Sequence, residues 1–167
     1  MIDKIARFLE SRITEDTRRK VVAEIKYSGG RVLDLGCGER GSFDYFDGKI
    51  VSADRSKEVL EKVKSKKKVL ADADKKLPFK SREFNVVTFS GVIQYLKNPE
   101  SAIREIRRIL KEDGMLILTT VNRNSFLRRI GIIKKSPKGE AGEHNIFPKR
   151  QIIGLLLKNG FQVKKVT

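Results

Sequence analysis

The sequence predicts an α/β domain, a doubly wound and mainly parallel sheet with helices on both faces. Three observations carry this expectation. Short apolar runs bounded by glycine alternate with longer segments of helical periodicity, which is the rhythm of βαβ units. The 167 residues, 39% hydrophobic and 35% charged, suit one domain (1–167) with its own core and leave no room for a second. Glycines and acids follow the first two predicted strands closely, at the sheet edge where such folds take up ligands.

The elements follow in order. Between Asp3 and Lys26, Ile2, Ile5, Ala6, Leu9 and Ile13, then Val21, Val22 and Ile25, recur at helical spacing, so residues 1–28 read as an N-terminal helical extension that caps the sheet. RVLDL and KIVSA are strand-like, SKEVLEKVKS is helix-like, and KKVLA is the third strand. FNVVTFS is the fourth. PESAIREIRRILKEDG begins with Pro, shows a periodic Ile/Ala/Leu face and stops at Gly, so it reads as a helix with both ends signalled. MLILTTV is the fifth strand, 122–147 an irregular basic insertion on the substrate side, PKRQIIGLLLKNG a helix, and FQVKKV a last strand. The arrangement is Rossmann-like, with right-handed crossovers.

Composition excludes several classes. One cysteine, Cys37, rules out an internal disulfide framework, and one histidine beside it cannot build an all-Cys/His metal site. The longest apolar runs are too short to span a bilayer, and MIDKIARFLE interleaves acids and bases where a signal peptide is apolar, so a cytoplasmic chain is expected. Lys+Arg number 37 against 21 Asp+Glu, a net charge of +16, which attracts polyanions such as RNA. Bases gather at Lys64, Lys66, Lys67 and Lys68, at Lys75 and Lys76, and within 122–147. Charge runs of this kind are usually solvated loops.

The residues after the strands bear the chemistry. Asp34-Leu35-Gly36-Cys37-Gly38-Glu39-Arg40-Gly41 satisfies the G-x-G-x-x-G pattern, and Asp54 stands eighteen positions beyond Gly36, where an acid could hold a ribose diol. Glycines alone say only that the backbone turns tightly and admits a close approach. Asp34 discriminates between ligands: a carboxylate there would repel the pyrophosphate of a dinucleotide. A cationic, phosphate-free nucleoside fits better, its ammonium reaching the carboxylate directly or through water.

At VLDLGCG, Asp54, ADADKKLPF and FNVVTFSGVIQYLKNPESAIREIRRILKEDGMLILTT the sequence resembles the class I S-adenosylmethionine-dependent methyltransferases, in particular the broad methyltransferase type 11-like family that includes quinone-biosynthesis and many small-molecule enzymes. The resemblance runs from Gly30 to Val166. It implies that S-adenosylmethionine is the cofactor, that Asp54 binds its ribose hydroxyls, that Asp72 accepts from the adenine amino group and that Asp34 orders the methionine amino group. Gly36, Cys37 and Gly38 would lie against the amino acid portion, Arg55 and Ala73 would flank the adenine, and Ser90 completes the cofactor side. Each acid also has a structural reading: Asp34 as a cap, Asp54 as the N-cap of the helix near Ser56, Asp72 as the closure of a turn. Cys37 reads as a small residue in a tight loop, with no neighbouring base to make it a nucleophile.

Methyl transfer needs little beyond alignment and exclusion of water, and a base only when the acceptor is protonated. The candidates for that role are His144 and Tyr95. The chain departs from the family in three places. Gln94-Tyr95 stands where many relatives carry His. Arg40 replaces the usual third glycine. The seventh, antiparallel strand of the family is not found: either it is absent or the chain is a truncated version, and the exposed sheet edge would then need covering by a partner chain such as a second copy. The expected function is transfer of a methyl group to a small-molecule acceptor. RNA methylation is the alternative within the class. An NAD-dependent dehydrogenase and a non-catalytic nucleic-acid-binding module are the alternatives outside it.

Overall fold

In a computed structural model of the chain, the residues described are Arg19, Val22, Ala23, Ile25 and 30–39, 50–120 and 147–164. Five strands form one sheet in the order β3-β2-β1-β4-β5. They are β1 (Val32–Leu35), β2 (Ile50–Asp54), β3 (Lys67–Leu70), β4 (Phe84–Ser90) and β5 (Leu110–Thr119), and every neighbouring pair is parallel. β1 is central and buried throughout, with apolar Val32, Leu33 and Leu35 as suits a strand covered on both faces and the acid Asp34 buried among them. The outer strand β3 instead presents exposed lysines, Lys67 and Lys68, which discourage another chain from pairing there.

Helices lie on both faces. α1 (Lys57–Lys62) is capped by Ser56, whose Oγ accepts from the Val59 N–H at 3.2 Å. α2 (Pro99–Ile109) starts at the capping residue Asn98 with Pro in its first turn, and it buries Ala102, Ile103, Ile106 and Ile109 along one stripe. That stripe and Ile152 of α3 (Lys149–Lys158) join Leu33, Leu35, Phe84 and Phe89 in the main core. On the opposite face Ile25, helical and only 2% exposed, packs with Val32, Ile50 and Val86.

Three expectations need correction. α2 ends at Ile109 rather than running to Gly114: the carbonyls of Arg108 and Ile109 accept from the N–H groups of Arg82 (2.9 Å) and Glu83 (2.8 Å), and Leu110 turns extended to pair with Phe84. Gly114 then permits the irregular start of β5, because a Cβ there would lie 2.9 Å from the Lys111 carbonyl oxygen. Phe161–Lys164 of the expected last strand belong to no strand; the described residues offer no neighbour to complete their ladder, and β5 is the edge of the sheet. Asp34 is the third residue of β1 and does not follow it. His144, Arg40, nearly all of 1–28 and the basic segment up to 146 lie outside the described residues, whereas Phe147 is buried in the main core. Among the described residues no helix is long and apolar enough to cross a membrane.

Candidate active site

Parallel pairing brings the carboxyl ends of β1, β2, β3 and β4 to one edge, and all the described site candidates gather there. The turn after β1 is pinned to its neighbour: the N–H groups of Gly36 and Cys37 both donate to the Ala53 carbonyl, at 2.7 and 3.1 Å. Gly36 has φ +74°, and a Cβ there would overlap the side chain of Val92 beyond β4. Gly38 has φ +63° but no atom of a described residue within 4 Å of its Cβ position. Its bare backbone faces open space, and its N–H donates to Asp54 Oδ2 at 3.1 Å. Asp54 Oδ1 accepts from the Ser56 N–H at 3.0 Å. Asp54 therefore ties the glycine turn to the loop after β2, and Ser56 is the cap of α1, not Asp54.

Asp34 is 1% exposed, lies in register between Ser52 and Thr88, and accepts from the Thr88 hydroxyl at 2.8 Å. It sits inside the strand. Its charge is felt at Cys37, whose thiol is pushed up to about 12, first by burial, then by Asp34 and then by Asp54. The thiol stays neutral and packs with Leu60 and Val63. The same two carboxylates make the turn a place that favours a cation and disfavours a phosphate.

The loop after β3 begins with Ala71, whose N–H donates to the Asp54 carbonyl at 2.9 Å, so Asp72 and the buried Ala73 emerge directly beside Asp54. Asp72 Oδ1 accepts from the Asp74 N–H at 3.0 Å and its Oδ2 lies 3.7 Å from Lys75 Nζ, so it does close a turn. Arg55 is exposed and has no ion pair among the described residues. At the end of β4, Ser90 Oγ and Thr119 Oγ1 share a hydrogen bond of 2.7 Å. Tyr95 is half-buried in a single 3₁₀ turn, Ile93–Tyr95, beside Gln94, which is 3% exposed and accepts from the Thr120 hydroxyl at 3.3 Å.

Two sets of residues here have no counterpart in the sequence reading. Asp74 accepts from the backbone N–H groups of Lys97 and Asn98, and Glu105 with Arg108 holds the Leu77–Phe79 stretch. Glu105 accepts from the Leu77 N–H at 2.9 Å, while Arg108 donates to the Phe79 and Leu77 carbonyls at 2.9 and 3.1 Å. The partners are 23 to 31 residues apart, so no local spacing reveals them.

The residues fit S-adenosylmethionine on two structural grounds. Open space beside the left-handed Gly38 lets a ligand rest on backbone, and two carboxylates give that turn a negative field. Comparison with known proteins agrees. Residues 3–166 match the family described as a methyltransferase domain. A Methanocaldococcus jannaschii protein is 32% identical over 140 residues, covering 83% of this chain and 67% of its own length. The phosphatidylethanolamine N-methyltransferase of Cereibacter sphaeroides is 25% identical over 149 residues, covering 83% and 71%. An S-adenosylmethionine-dependent methyltransferase from Thermotoga maritima superposes with a TM-score of 0.71 at 25% identity, covering 98% of this chain and 82% of that one. The chain belongs to the methyltransferase-domain family and is an S-adenosylmethionine-dependent methyltransferase.

Proposed function

We propose that the chain methylates a small-molecule acceptor and that Asp34, Gly36, Cys37, Gly38, Asp54, Arg55, Asp72, Ala73 and Ser90 form the cofactor side of its site. The observation that supports this most is the pairing of Gly38 N–H with Asp54 Oδ2, which sets an open stretch of backbone against an acid at the carboxyl edge of the sheet. Asp54 uses one lone pair of each oxygen on Gly38 and Ser56 and keeps others for two ribose hydroxyls. Asp72 accepts from the adenine amino group. Asp34, held by Thr88, orients the methionine ammonium, directly or through water. Arg55 covers one side of the adenine with its apolar stem, and Ala73 bounds the other.

When bound, S-adenosylmethionine supplies a methyl group already activated on its sulfonium. The chain's part is alignment and exclusion of water. Tyr95 and His144 are the groups assigned to the acceptor side, where a hydroxyl or imidazole can take a proton from an acceptor that carries one.

RNA is the second reading, favoured by Lys64, Lys66 and Lys67, which are exposed and have no ion pair among the described residues. These lysines cluster around the start of β3, however, at the opposite end of that strand from Asp72, and on an edge strand they already serve to prevent pairing. A small acceptor is therefore preferred. Incubation with methyl-labelled cofactor and a cell extract, divided into small-molecule and RNA fractions, tests the choice. Label in the small-molecule fraction is expected, and label confined to RNA would reverse it.

A further inference from the structure

The loop after β3 and the loop after β4 are far apart in sequence, yet one side chain joins them. Asp74 Oδ1 accepts from the Lys97 N–H at 2.9 Å and from the Asn98 N–H at 3.0 Å, and Oδ2 adds a longer contact of 3.2 Å to Lys97. On one side, the Asp74 N–H donates to Asp72 Oδ1 at 3.0 Å. On the other, Asn98 caps α2 by accepting from the Ser101 N–H at 3.1 Å, and the 3₁₀ turn bearing Gln94 and Tyr95 lies immediately upstream. An unbroken run of hydrogen bonds thus links the Asp72 carboxylate, through Asp74, to the segment that carries Tyr95. The Lys97 and Asn98 amides are exposed positions with no helix or strand partner, so Asp74 is what fixes them.

From this geometry we propose that Asp74 is a positioning residue that couples cofactor recognition to the acceptor side. When the adenine amino group engages Asp72, the Asp72–Asp74 turn tightens, Asp74 grips Lys97 and Asn98 more firmly, and the Gln94-Tyr95 turn is held for the acceptor. This rests on the assignment of Asp72 to adenine made above. Such coupling is reciprocal: if the cofactor stabilises the Asp74 clamp, the clamp must raise cofactor affinity by the same factor. The two shorter hydrogen bonds of the clamp use Oδ1, so an amide oxygen can replace the carboxylate there and gives up only the longer Oδ2 contact, whereas a methyl group keeps neither.

The test is amide hydrogen exchange over residues 92–98 of the full chain, with and without S-adenosylhomocysteine, paired with calorimetric affinity for the same ligand. In the unaltered protein the ligand is expected to slow exchange at Lys97 and Asn98 by roughly five-fold or more. Asp74→Ala should lose that ligand-dependent protection and bind about five-fold or more weakly, and Asp74→Asn should restore both. A clamp with only a structural role would give the same exchange with and without ligand, and that result would overturn the proposal. So would an Asp74→Ala protein that keeps both the protection and the affinity, or an Asp74→Asn protein that behaves like Asp74→Ala. Failure of the unaltered protein to bind S-adenosylhomocysteine at all would instead defeat the underlying assignment of the site, and this inference with it.

Discussion

Left-handed glycines stand at both ends of the central strand. At the amino end Gly30 has φ +79°, and a Cβ there would overlap Asn85; at the carboxyl end Gly38 has φ +63° with open space around it. The surroundings differ in the same sense. At the amino end every nearby polar group answers another. Arg31 donates its N–H to Asn85 Oδ1 at 3.1 Å, pairs with Glu83 at 2.8 Å and lies over the Phe84 ring, and Lys111 also donates to Asn85 at 3.0 Å. At the carboxyl end the polar groups that gather are acids, Asp34, Asp54 and Asp72: backbone N–H groups position Asp54 and Asp72, the Thr88 hydroxyl holds Asp34, and Lys75 approaches Asp72 at 3.7 Å. One end of the sheet is closed for stability. The other keeps its charge and its space for a ligand.

Substitution of the two glycines sharpens that contrast. Gly30→Ala combines a disfavoured backbone conformation with a collision against Asn85 and is expected to lower stability by about 2–4 kcal/mol, with affinity for S-adenosylhomocysteine unchanged. Gly38→Ala meets no atom of the described residues, so its cost in stability should be only about 1–2 kcal/mol. Affinity should nevertheless fall at least about ten-fold, because the new methyl group fills the space a ligand would occupy. Urea unfolding and calorimetry on the pair separate these outcomes. Equal effects on affinity would erase the distinction between the two ends.

Cys37 offers a smaller effect that reads the field of the acids. Its thiol is held neutral, up to about 12 against 9.0 for a free thiol, by burial and then by Asp34 and Asp54. The folded state therefore keeps its proton where the unfolded state loses it. The associated stability is fully present below pH 9 and is lost as the pH rises towards about 12. The urea midpoint of the unaltered protein should fall more steeply above pH 9 than that of Cys37→Ala, in which this group no longer titrates. Parallel curves would mean that burial and the neighbouring acids together do not hold the thiol neutral.

Much of this was readable in the sequence because it is local. VLDL and FNVVTFS became β1 and β4, since continuous apolar runs suit strands buried on both faces, and Asn98-Pro99 opened α2 where cap and proline chemistry require. Asp54, the last residue of β2, and the loop that carries Asp72 meet at one edge because β2 and β3 pair in parallel. What escaped was non-local. The end of α2 at Ile109 depends on Arg82 and Glu83, more than twenty residues away, which take the carbonyls that would have continued the helix. FQVKKV has the alternation of a strand but, over the residues described, no partner. Nothing local to Asp74 marks it; its contacts follow only from the fold that brings Lys97 and Asn98 against it.

The most direct test of the account is calorimetry of the full chain with S-adenosylhomocysteine and with NAD, repeated on Asp54→Ala. Micromolar binding of the first ligand and none of the second is expected. In the variant, loss of two hydrogen bonds to a carboxylate, about 1.5 kcal/mol each, should weaken S-adenosylhomocysteine roughly a hundred-fold. Binding of NAD, or an Asp54→Ala protein with full affinity for S-adenosylhomocysteine, would contradict it.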